Sequence, residues 1–247
     1  MQLKKFVIMT VVASSLTLGA VGAAFADTPT PTPSARSTET LTDARTRVDH
    51  RITIRLDALN KQIGRLNSDT RLNANDKALL LNEDQAAVNG LTALKAKVDA
   101  DATVADVKTD EQQIVTYKVF EILVPQNRQL IAVDNLQATS AKLGTLITDV
   151  QNKINTLQGQ GGNVSSVQSL LTDASTKLQT INGELATDQS SLVAITPTST
   201  NTDTTFQSVR KDLSTVRSEF SAIRADFKQI KSGLAGLRPA VTPTATP

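Results

Sequence analysis

From residue 206 to residue 237 an apolar side chain falls at every third then fourth position: Phe206, Val209, Leu213, Val216, Phe220, Ile223, Phe227, Ile230, Leu234 and Leu237. A 3-4 alternation averages about 3.5 residues, so these side chains line up in one stripe only on an α-helix. A stripe of that length has to be covered by other helices along its whole extent. The spacing therefore predicts an all-α fold of long helices packed side by side.

The same rhythm recurs upstream. Residues 40–67 carry Leu41, Ala44, Val48, Ile52, Leu56, Leu59, Ile63 and Leu66, with a 4-4-4 stretch that makes the seam drift around the helix. Residues 74–99 carry Leu80, Ala87, Leu91, Leu94 and Val98 behind an Asn73 N-cap that Asp76 is placed to answer. Thr103 and Asp106 repeat that arrangement ahead of residues 104–123. There Ile114-Val115-Thr116 is β-branched, and 117–124 also alternate as a strand would. A lone strand has no partner, so helix is the better reading.

Pro125 removes the bond back to Glu121 and disfavours α geometry at Val124, which predicts a kink or break. Beyond it Val133, Leu136, Ser140, Leu143, Ile147, Val150, Ile154 and Leu157 keep the rhythm up to the 159–162 breaker, Gly-Gln-Gly-Gly. Asn163 caps the next segment, which runs from Val164 to Ile195 with Asp188 as a polar intrusion.

Three consecutive segments of similar length joined by short breakers must run antiparallel. Residues 125–238 thus read as a C-terminal three-helix bundle, about 50 Å long at 1.5 Å per residue. Residues 40–124 supply an N-terminal helical bundle. The two would share a long helix kinked at Pro125; one wrapped bundle of five or six helices is the competing packing.

Residues 1–26 read as a secretory signal: Lys4 and Lys5, an uncharged apolar run, then Ala24-Phe25-Ala26 with small residues where signal peptidase needs them. The expected cut falls between Ala26 and Asp27. An anchor that is kept is the rival reading, since about 20 apolar residues can just span a bilayer. Removing Lys4 and Lys5 from 26 basic residues leaves 24, equal to the 24 acidic ones. Global charge then gives no reason to expect nucleic acid or an anionic surface as partner. With no cysteine, the chain has neither disulfides nor a lipid-modified cysteine as tether. Residues 27–39 and 239–247 are Thr/Pro-rich and read as disordered spacers, or as stalks carrying O-linked sugars.

The stretches LNANDKALLLNEDQAAVNGLTALKAKVDADAT and TYKVFEILVPQNRQLIAVDNL, within 66–136, resemble secreted bacterial proteins with no assigned function. The resemblance implies a bacterial, exported origin and adds no mechanism.

No candidate for chemistry is complete. His50 is the single histidine, so zinc and nucleophilic triads lack partners. Asp99, Asp101, Thr103 and Asp110 match positions 1, 3, 5 and 12 of a calcium loop, but the glycine at 6 and the glutamate at 12 are missing. The 159–163 glycines follow a helix and lack the P-loop lysine.

Arg210, Arg217, Arg224 and Lys231 recur every seven residues beside the 206–237 stripe, with Asp212, Glu219 and Asp226 on its other flank. This row first reads as charge that sets helix pairing, with the acids blunting its field. On that reading its neutralisation leaves envelope association intact. The other reading is an interaction stripe for an anionic envelope polymer. Aromatics are scarce and tryptophan is absent, against nucleic-acid or sugar stacking.

The sequence thus predicts a non-enzymatic, cofactor-free, exported protein of the bacterial envelope or exterior, structural, adhesive or protein-binding. No membrane contact is expected after cleavage, and self-association is open. The alternative is a soluble chaperone-like module with an apolar groove near Pro125.

Overall fold

Helices begin where a side chain can take up the first free amides. In the computed structural model, which describes residues 39–237, Thr40 Oγ1 accepts from the amide of Asp43 at 3.1 Å and opens α1 (Leu41–Ser68). Asn73 Oδ1 accepts from Asn75 at 2.8 Å and opens α2 (Ala74–Ala100). Thr103 and Asp106 form the expected reciprocal pair ahead of α3 (Val104–Glu111). Asp76 does not turn back to its cap; it is buried and accepts from Gln189 instead.

The expected long helix through Pro125 is replaced by three short pieces. A 3₁₀ turn (Gln112–Tyr117) follows α3, Lys118 adopts left-handed geometry (φ 49°), and a π turn (Val119–Leu123) leads into α4 (Val124–Gly159). The π turn bonds Leu123 N–H to Lys118 O and Val124 N–H to Val119 O, five residues back. The next donor in that register is Pro125, which has none, so the turn ends there. Pro125 itself lies in the first turn of α4. The chain changes course at Lys118, behind the β-branched run, rather than at the proline.

The α4 terminus is closed by glycine. Gly162 N–H bonds to Leu157 O and Gly161 N–H to Gln158 O, both at 3.0 Å, with Gly161 at φ 83°. This is the paired-bond stop that requires a left-handed residue. Gly161→Ala should cost about 1–2 kcal/mol, read as a lowered midpoint in thermal melts. After the stop come α5 (Ser165–Val193) and α6 (Thr202–Gly236).

The protein is all-helical, with its long helices packed against one another and no strand among the described residues. Ala44, Val48, Ile52 and Leu59 of α1 pack with Leu91, Leu94 and Val98 of α2 and with Val107 and Ile114. A second core joins Leu130 and Val133 of α4 to Leu178, Ile181 and Leu185 of α5 and Leu213, Val216 and Phe220 of α6. Leu66, Leu80 and Ile122 belong to this second core, so the meeting point of α1 and α2 is built into the C-terminal helices.

Most of the α6 stripe is buried as expected, but Phe227, Leu234 and Leu237 are half-buried, and Asp226, just before Phe227, is buried. The larger departure is α4. Past Ser140 only Ile154 is buried, and Leu143, Ile147, Val150 and Leu157 are half-exposed.

Candidate functional site

Helix α6 separates its charges. Residues seven apart drift only about 20° around a straight helix, so Arg210, Arg217, Arg224 and Lys231 form one row. All four are exposed, and among the described residues none lies within 4.0 Å of a carboxylate. The acids expected opposite them turn toward α5. Asp226 Oδ2 accepts from Lys177 Nζ at 2.9 Å, and that ammonium also reaches Asp173 at 2.5 Å. Asp173 and Asp226 together hold it above its ordinary range.

Asp212 and Glu219 face Glu184 and Asp188 of α5. Burial, then repulsion from Asp212 and Glu184, pushes Asp188 up to about 6. Burial, then Glu219 and Asp212, raises Glu184.

A second feature lies where α4 and α6 run side by side. Leu146, Val150, Leu157, Phe227, Ile230, Leu234 and Ala235 line an open groove of about 650 Å³ whose charged lining residues are Lys153 and Lys231. This groove lies at the far end of α4 and is not the one anticipated near Pro125.

A third lies at the meeting of α1, the α1–α2 turn and α4. Arg65, Arg71 and Arg128 border a cleft of about 510 Å³ floored by Gln62 and Asn127. Asp69 also lines it, accepting from the Arg71 backbone amide at 2.8 Å and lying 3.8 Å from the Arg71 guanidinium, which offsets part of the cleft's positive charge.

Beneath that cleft is the most deeply buried carboxylate. Asp84 is 0% exposed and accepts from Gln62 Nε2 at 3.1 and 3.2 Å and from Asn127 Nδ2 at 3.1 and 3.3 Å. Both amides also reach Leu123 O. Burial, then the charge of Glu83, pushes Asp84 up to about 7 against the pull of its two donors. Asp134 is raised by burial and by Asp76, although it accepts from the Asn73 amide at 2.8 Å. Sequence reading passed over Asp84; the signal available was an acid at apolar spacing, four residues after Leu80 and seven before Leu91.

The remaining sequence candidates are dispersed. His50 is exposed, and its neighbours Arg47 and Arg51 both pair with Glu111. Asp110 is held by Lys97 at 2.6 Å and Gln113 at 2.9 Å, while Thr103 is spent on capping α3. No group of three His, Cys, Asp or Glu among the described residues is disposed to hold a metal. Ala26, Asp27 and residues 28–38 and 239–247 of the Thr/Pro segments lie outside the described residues, among which no helix is long and apolar enough to cross a membrane.

Fold and surface together define a helical-bundle protein with a segregated charge row. The chain matches no protein-family model, no curated protein and no solved structure.

Proposed function

We propose that this chain is a non-catalytic, exported bacterial protein that adheres to an anionic polymer of the cell envelope through the cationic row of α6. The observation that carries this is the row itself: four exposed cations, about one every two helical turns, without a carboxylate within 4.0 Å among the described residues. A repeated cation spaced about 10 Å apart suits a polyanion with regularly spaced charge better than a single small anion. A pure helix-pairing role would call for carboxylates facing the row, and Asp226 is engaged by Lys177 instead.

Changing Arg210, Arg217, Arg224 and Lys231 together to Gln tests it. The variant should melt within about 1 kcal/mol of wild type, because exposed charges contribute little to stability. Wild type should sediment with isolated envelopes at low salt and be released as ionic strength rises. The variant should stay in the supernatant throughout. Equal, salt-insensitive retention of both proteins would return the row to helix pairing.

A second reading, a binding module for apolar clients, is favoured by the α4–α6 groove. It needs no catalytic residue, and the two roles occupy different flanks of α6 apart from Lys231.

A further inference from the structure

On its α5 side the far end of this helix trio is closed: Val164, Val167 and Leu171 are buried against Ile154 and Ile230. On the α4–α6 side it is open among the described residues. Leu146 is 42% exposed, and Val150, Leu157, Phe227 and Leu234 are half-buried around a groove of about 650 Å³. From Leu146 to Leu157 the apolar wall runs about 16 Å, or three helical turns. Its charged lining residues are both cations, Lys153 and Lys231, and neither has a carboxylate within 4.0 Å among the described residues.

Charge and shape select the occupant. A second copy seated on this same face would set Lys153 and Lys231 against their symmetry mates. An acyl chain lying in an open groove would keep one side in water. A helix about 10 Å across covers both walls, and carboxylates beside its apolar stripe would meet the two lysines.

We propose that the α4–α6 groove docks an amphipathic helix of another protein, one with an apolar stripe of about three turns flanked by acidic residues. The inference rests on the second reading above and shares only Lys231 with the polymer-binding row.

Two synthetic peptides of about 21 residues, with the same leucine stripe and either Glu or Lys flanks, provide the probe. With the full chain, fluorescence anisotropy at low salt should show the Glu peptide binding at least about 10-fold more tightly than the Lys peptide. Leu146→Glu should abolish binding, and Lys153→Glu, which leaves Lys231 as the one lining cation, should remove the preference. Both substitutions are at exposed positions, and unchanged melting curves establish that the variants are folded. Leu146→Glu leaves all four row cations in place, so its envelope retention should persist even as peptide binding is lost. The inference is overturned if neither peptide binds, if Leu146→Glu binds as wild type does, or if the two peptides bind equally. It is also overturned if palmitate, and not the Glu peptide, occupies the groove. Self-association in ultracentrifugation that Leu146→Glu abolishes would assign the groove to a second copy.

Discussion

Acidifying this protein from about pH 8 to pH 5 should make it harder to unfold. Asp84 is the main reason. It is fully buried, and its surroundings push it up to about 7, whereas an unfolded aspartate titrates near 3.9. Above pH 7 both states are ionised, and the folded state carries the whole cost of a buried carboxylate. Between about 7 and 4 the folded state takes up a proton that the unfolded chain does not, so stability rises as pH falls, by about 1.4 kcal/mol per unit.

Asp84 alone can contribute up to about 4 kcal/mol across its window, and Asp188, at about 6, adds in the same direction. The groups around Asp84 are Gln62 from α1, Glu83 beside it on α2, and Asn127 with Leu123 O at the start of α4. None is a cation that would reverse the sign. Urea unfolding at several pH values measures the slope. Asp84→Asn should remove most of it and be the more stable protein at pH 8. A wild type that loses stability on acidification would show that Asp84 is ionised and content in the fold.

The second large effect is expected at Ile223. This residue is 0% exposed, in the core shared by α4, α5 and α6. Ile223→Asp removes its apolar contacts and buries a charge with no partner. The loss should exceed about 4 kcal/mol, a large share of the 5–15 kcal/mol that keeps a domain folded. Circular dichroism should show collapse of the helical signal near room temperature. Ile54→Asp makes the same chemical change at a position 44% exposed and should cost less than about 1 kcal/mol. Similar melting of the two variants would mean that the α6 stripe does not face a core.

The apolar periodicity made α1, α2, α5 and α6 legible to within a residue or two at most ends, because a face that packs must repeat at the helical period. The caps at Asn73 and Thr103 were legible for the same local reason, whereas the one expected at Asn163 was not borne out: the N-cap of α5 is Val164, which offers no side-chain cap. The 104–123 region was not, since the outcome there depends on a hydrogen-bond register that shifts from four to five residues and stops at a proline ahead. Burial along α4 was also hidden. Leu143, Ile147 and Val150 have core spacing, yet whether they are covered depends on how closely α6 approaches. The cationic row could be read directly. The destination of Asp212, Glu219 and Asp226 could not, because flank labels do not say which neighbour lies on which side.

The apolar stripes of these helices share a difficulty: each looks much the same after a shift of one or two turns. The buried polar contacts of α4 do not. Gln126 donates to the carbonyls of Leu192 and Ile195 at 3.0 and 3.1 Å, Gln129 to that of Phe206 at 3.1 Å, and Asn127 to Asp84. Sliding α4 by one turn, about 5.4 Å, would leave these donors and acceptors stranded, at about 1–3 kcal/mol each. Three amide side chains within one turn of α4, Gln126, Asn127 and Gln129, thereby act as keys that admit a single axial alignment among several that grease alone would accept.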